Sequence, residues 1–257
     1  MLFRSDLAMA VVYTTSSEPF RVTAPLRAVL GDRALYVPVE VPTFYYPGME
    51  IELDLFVVAG GPGPRRLDAG TGWEARTVAA GDLRFVSAIV EPGADIAGMR
   101  ASLNLDAALV EHWSLSDPRG LPAHAILGPS GLAWAVIVEG ATSLSLSPST
   151  AAITLRKAPG WLSLTGLAPE AYGLVAQTEA IMEALASVLH DNGANFSDVV
   201  KSTTHYVGDP TPEDLHANMA VRNRRYTSPG PASTGIRVRA LAAPGALTAI
   251  SLLLEGP

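Results

Sequence analysis

Arg237 and Arg239 stand two apart in the strand-like run "STGIRVRAL" (233–241). Alternate residues of a strand project to one face, so the pair would set two guanidiniums side by side. A guanidinium offers a planar fork of donors that fits a carboxylate or phosphate. The two arginines are therefore candidates for binding a substrate anion, or equally for an ion pair at a solvent edge or between subunits. Just upstream, Ser233, Thr234 and Gly235 could add hydroxyl and backbone N–H donors for an anion, or simply begin a strand. His205 and Tyr206 close the run "FSDVVKSTTHYV" (196–207). A histidine titrates near neutral pH and can act as acid or base, although a lone strand histidine is as readily structural. Strand neighbours point to opposite faces, so only one of His205 and Tyr206 can face a given cleft. Ser251, in "ALTAISLLLE" (246–255), could position a water or a substrate oxygen; with no G-x-S-x-G and no visible base it is not read as a nucleophile.

Other chemistries are poorly supplied. The chain has no cysteine, which removes disulfides, thiolate nucleophiles and Cys-based zinc sites. His112, His124, His190 and His216 show no H-x-x-x-H or H-E-x-x-H spacing, so no metal is expected. Neither a Walker pattern nor G-x-G-x-x-G after a strand occurs, so no nucleotide cofactor is expected either. The net charge of -7, without a dense Lys/Arg block, argues against nucleic acid, whose phosphates require clustered positive charge. The tightest basic group, "RNRR" (222–225), reads as the solvated face of a helix. The N-terminal apolar stretch is too short for a membrane span and poorly built for a signal peptide; it reads as a first strand. A soluble, cytoplasmic protein acting on a small molecule is expected, with no membrane partner.

The elements that must position these residues follow from periodicity. The first sixty residues alternate apolar and polar positions and read as strands, as at 34–42 and 51–58, before a Gly/Pro-rich loop (59–72). A strand follows at 83–91 and a helix is expected over 95–113. The clearest helix spans 169–193, with Leu174, Ile181, Leu185 and Val188 on one stripe and Asn192-Gly193 as its stop. A second helix opens at Thr211-Pro212, where Thr211 can cap and Asp214 can close a capping box. Two strands, 233–241 and 246–255, end the chain.

Three landmarks occur twice in the same order. "LRFVSA" (83–88) corresponds to "WLSLTG" (161–166), "PAHAI" (122–126) to "PASTGI" (231–236), and "GLAWAVIVEG" (131–140) to "GALTAISLLLEG" (245–256). The interval between the first two landmarks is 34 positions in the first copy and 65 in the second. Two related domains follow, a trimmed one over 1–142 that has lost about one helix and one strand, and a complete one over 143–257.

The second domain resembles the Rid (YjgF) family, whose members act on enamines and imines. "WLSLTG", "VAQTEAIMEALASVLHDNGANFSDVVKSTTHYV" and "PASTGIRVRALAAPGALTAISLLLEG" carry the likeness. Two such domains in one chain resemble chorismatases, on architecture and on "HAILGPSGLAWAVIVEG" (124–140). The resemblance implies an α+β fold, with a mixed sheet and helices packed on one face, and trimers with sites in clefts between neighbouring domains. It also implies a Pro-Ala-Arg run whose arginine holds the substrate carboxylate; here the run is Pro231-Ala232-Ser233. A glutamate is expected on the last strand, where Ala249 and Ser251 stand; a four-residue shift would bring in Glu255. Ordinary imine hydrolysis is thus not expected. The expectation is a cofactor-independent small-molecule enzyme, acting on an imine, enamine or enol-ether substrate through His205, Tyr206 and Ser251 with Arg237, Arg239, Ser233, Thr234 and Gly235 as binding residues. A non-catalytic metabolite-binding module of the same fold is the alternative.

Overall fold

The computed structural model describes residues 4–117, 119–148 and 151–256. The chain divides into two compact units, one of Met1–Leu121 with Ile126–Glu139, the other of Pro122–Ala125 with Gly140–Pro257.

The first unit begins with β1 (Leu7–Thr14), α1 (Pro19–Leu30), β2 (Leu35–Glu40) and β3 (Ile51–Val57). β1 pairs parallel with β2 and antiparallel with β3, giving a small sheet of order β2-β1-β3. A parallel pair needs a crossover, and α1 supplies it. The strand reading of the first sixty residues is corrected here: Pro19 suits the first helical turn, and Val22, Leu26 and Leu30, spaced by four, pack against Leu7, Ala10, Val12 and Tyr36.

The rest of this unit comprises β4 (Arg66–Gly70), β5 (Trp73–Ala80), β6 (Leu83–Val90), α2 (Ile96–Leu103), β7 (Ala108–Leu115), β8 (Ile126–Leu127) and β9 (Leu132–Val138). Its strand order is β8-β7-β9-β6-β5-β4. The stretch read as one helix over 95–113 is a short helix followed by a strand. Asp95 caps α2, Asn104 in the left-handed region (φ 52°) ends it, and Val110 to Ser114 pair with β9. The loop read at 59–72 likewise contains β4, which pairs with β5.

The second unit comprises β10 (Thr142–Leu146), β11 (Ala152–Ala158), β12 (Trp161–Leu167), α3 (Leu174–Asp191), β13 (Val199–Val207), α4 (Pro212–Asn223), β14 (Ala232–Val238), β15 (Ala240–Leu241) and β16 (Thr248–Glu255). Its strand order is β10-β11-β12-β16-β13-β14, with β13 and β14 parallel and the other pairs antiparallel. Read from the hairpin edge, both units therefore run through the same sequence of strands. "LRFVSA" lies in β6 and "WLSLTG" in β12; each is the second strand of a hairpin and pairs next with β9 or β16. The first copy's trimming is also visible. α2 has 8 residues against the 18 of its counterpart α3, the counterpart of β14 is the two-residue β8, and no helix corresponding to α4 occurs among the described residues. The strand is shortened rather than lost.

α3 lays Ile181, Met182, Leu185, Val188 and Leu189 on Ile153, Leu155, Leu164, Ile250, Leu252 and Leu254, which fixes one sheet face as the core face. Thr211 and Asp214 form the expected capping box of α4. Arg222, read from the sequence as part of a solvated basic face, is instead only 8% exposed. Its Nε donates to Asn218 Oδ1 (3.2 Å) and its Nη1 to Thr204 Oγ1 (2.9 Å), while Asn218 Nδ2 donates to Thr178 Oγ1. These bonds tie α3, α4 and β13 together and allow the guanidinium to be buried. Arg224 and Arg225 remain exposed, as expected.

Candidate functional site

With one face of the second sheet taken by helices, the other carries the unusual chemistry. Cross-strand partners share a face, and the register aligns Ser145, Thr154, Thr165, Ser251, Thr203 and Thr234 in one row across all six strands from β10 to β14. Every position in that row is a hydroxyl. Thr165 and Ser251 are hydrogen-bonded at 3.0 Å between their hydroxyl oxygens. Thr165, Thr203 and Thr234 are buried, and Ser251 is half-buried.

The adjacent row, about 7 Å along the strands, contains Ser143, Arg156, Ser163, Leu253, Lys201 and Ala232. Lys201 Nζ donates to Thr234 Oγ1 at 3.2 Å, so an ammonium is hydrogen-bonded to the end of the hydroxyl row. Arg156 is buried at 7% exposure. On the other side of the row, His205 lies between Ala249 of β16 and Ile236 of β14. Burial pulls the His205 pKa down to about 3, with smaller contributions from His124 and Lys201. The imidazole is therefore neutral at physiological pH, an acceptor or a neutral donor but not a general acid.

The residues singled out from the sequence fall in three places. Ser251, Thr234 and His205 share the polar face. Tyr206, one residue on, lies on the helix side between Arg237 and Thr248 and is buried. Alternation thus separates the His-Tyr pair as the sequence required. Ser233 is exposed, with its side chain on the face opposite to Thr234, and Gly235 is half-buried with no side chain to present. Arg237 shares the Tyr206 side; its Nε donates to Gly208 O (2.5 Å) and its Nη1 pairs with Asp209 (3.1 Å). Arg239 lies in a bend beyond β14, exposed. The expectation that the two arginines share a strand face therefore fails, because β14 ends at Val238 before Arg239 is reached. Glu255 is on the same face as Ser251 but exposed, at the far end of β16 opposite Trp161.

Sequence reasoning missed Lys201, Arg156, Thr165 and Thr203. Their residue types are ordinary, and only the strand register shows that they converge. Among the described residues, no group of three or more His, Asp or Glu side chains is placed to hold a metal ion. No described helix is long and apolar enough to cross a membrane. What the arrangement can do is donate hydrogen bonds: a hydroxyl-lined strip with two cations suits an oxygen-rich anion.

No protein-family profile matches the chain, and no curated protein matches it. Solved structures do. A chorismatase matches over 97% of this chain and 93% of its own, at 12% identity and a TM-score of 0.61. A member of the YjgF/YER057c/UK114 family from Mycobacterium tuberculosis covers 39% of this chain and 83% of its own, at 19% identity and TM-score 0.34. A RidA from the Antarctic bacterium Psychrobacter covers 43% and 85%, at 21% identity and TM-score 0.32. The likeness to the chorismatase, over nearly the whole chain, shows a shared α+β fold.

Proposed function

We propose that the second unit binds a small carboxylate rich in oxygen substituents on its hydroxyl-lined face, an unsaturated acid of the enol-ether, enamine or imine class. The observation that carries this reading is the unbroken row of six hydroxyls with Lys201 bonded to its end. The row offers donors and acceptors to a polyhydroxylated ring, while Lys201 and the buried Arg156 supply the positive charge that a carboxylate needs. The 1–142 and 143–257 division, expected from the internal repeat, and a homotrimeric assembly, implied by the resemblance, belong to this reading. Light scattering that gave a monomer mass at micromolar concentration would remove the trimer.

A second reading, cofactor-independent conversion of the bound acid, is favoured by His205. A neutral imidazole in the row next to Ser251 can accept a proton, and a bound carboxylate would raise its proton affinity. The ordinary deaminase route is unsupported, since Ala249 and Ser251 supply no carboxylate and Ser233 no guanidinium. The experiment is a thermal-stabilisation screen with chorismate, 2-imino acids and other unsaturated carboxylates, followed by product analysis of each binder. Stabilisation without turnover establishes the binding module, new product without added cofactor establishes the enzyme, and no stabilisation by any member contradicts both.

A further inference from the structure

The first unit holds a separate cationic hollow. A cavity of about 50 Å³ lies against α1, β2, β5 and β6, several times the roughly 10–15 Å³ that one water needs. Arg27 from the last turn of α1, Arg65 from the segment before β4 and Arg76 from β5 all line it, together with Thr23, Tyr36 and Glu74. Three guanidiniums from three segments of a chain with net charge -7 converge on this hollow, and their mutual repulsion favours an anion between them.

The carboxylates present do not balance them. Glu74 pairs with Arg76 at 3.3 Å, but both side chains are about half exposed, where such a pair contributes little. Asp32 acts on Arg65, but burial first, then Arg27 and Arg76, still lower the Arg65 pKa. Arg27 stacks its guanidinium over the Tyr36 ring at 5.1 Å, and its Nε is buried with no hydrogen-bond partner among the described residues. Leaving that donor unsatisfied is costly, and the charge of the guanidinium that carries it favours an anion in the hollow beside it.

We propose that this cavity is a binding site for a small oxyanion group, phosphoryl or carboxylate, held by Arg27, Arg65 and Arg76. Arg27, Thr23 and Tyr36 come from the α1–β2 segment, which has no counterpart in the second unit, and Arg65 and Arg76 from the first unit's own loop and β5, so the site is independent of the hydroxyl-lined face. A guanidinium trio suits such a group because each can present two parallel donors to two of its oxygens.

The test is calorimetric titration of the full-length protein with inorganic phosphate and, separately, with malonate at constant ionic strength, comparing the parent with Arg27→Met and Arg76→Gln. Arg27→Met keeps the apolar stem and removes the charge; the half-exposed Arg76 can be changed without disturbing the core. Saturable binding of at least one probe by the parent, weakened tenfold or more in both variants, is expected. Which probe binds distinguishes a phosphoryl from a carboxylate site. No saturable binding of either probe, or equal affinity in parent and variants, overturns the proposal. Melting temperatures add a second readout. In chloride alone the Arg76→Gln variant should be as stable as the parent or more so, because a repulsion is removed; in the binding anion it should fall below the parent. Equal destabilisation in both media would show a purely structural cluster and contradict the site.

Discussion

At the scale of single residues, the second unit's polar face is defined by which charges it tolerates. His205 is buried and neutral, its pKa depressed to about 3 chiefly by desolvation. In the unfolded chain a histidine takes up a proton near pH 6.5. The unfolded state therefore binds more protons between these values, so stability is full above pH 6.5 and is lost as the pH falls toward 3. Between pH 7.5 and 5 this one group should cost about 2 kcal/mol. Denaturant titrations at the two pH values should show that loss in the parent, and the His205→Gln variant should lose about that much less. An equal loss in both proteins would mean that His205 is protonated in the fold. Arg222 illustrates the opposite solution, a buried cation kept charged by hydrogen bonds to Asn218 and Thr204.

At the scale of elements, the polar face depends on how closely α3 holds the other face. Gly166 of β12 lies under that helix, and a Cβ there would stand 2.6 Å from Ile181 Cγ2 and 2.9 Å from Ile153 Cδ1. Gly166→Ala should therefore destabilise by about 1 to 3 kcal/mol through overpacking. Pairing it with Ile181→Ala should recover part of the loss, and an unchanged denaturation midpoint for the single variant would show that the contact is not tight.

Elements were legible in the sequence wherever periodicity and caps agreed. α3 has its stripe and its Asn-Gly stop, α4 its Thr-Pro start, and the repeated hairpins their apolar runs. α1 was not recognised because its stripe of Val22, Leu26 and Leu30 is interrupted by Pro25 and surrounded by strand-like sequence. The 95–113 segment misled because "LNLDAALVEHW" continues helical spacing past Asn104, where the backbone turns. The candidate site was legible only in part. Ser251, His205 and Thr234 could be picked out as residue types, but the row they belong to is a property of register, and register is fixed by pairing between strands far apart in sequence. Arg237 and Arg239 drew attention by their charge, yet the end of β14 at Val238 separates them.

At the scale of the molecule, two units of one strand order carry different polar chemistry. The second carries hydroxyls and two cations on one face of its sheet, and the first gathers three arginines beside a helix that its sister lacks. The likeness to a chorismatase over nearly the whole chain, at 12% identity, places the fold and leaves the site to be argued from its own residues. The proposed reading turns on one contact above the rest, a bound acid engaging Lys201 beside the hydroxyl row. The most direct measurement is the affinity of the parent and of Lys201→Met for chorismate, or for whichever unsaturated carboxylate stabilises the parent most, by calorimetry at neutral pH. Loss of a charge-assisted bond should cost about 2 kcal/mol, roughly a thirtyfold weaker dissociation constant, with Thr203→Val weakening binding by a smaller factor. Equal affinity in parent and Lys201→Met would contradict the account, because the anion would then be held elsewhere.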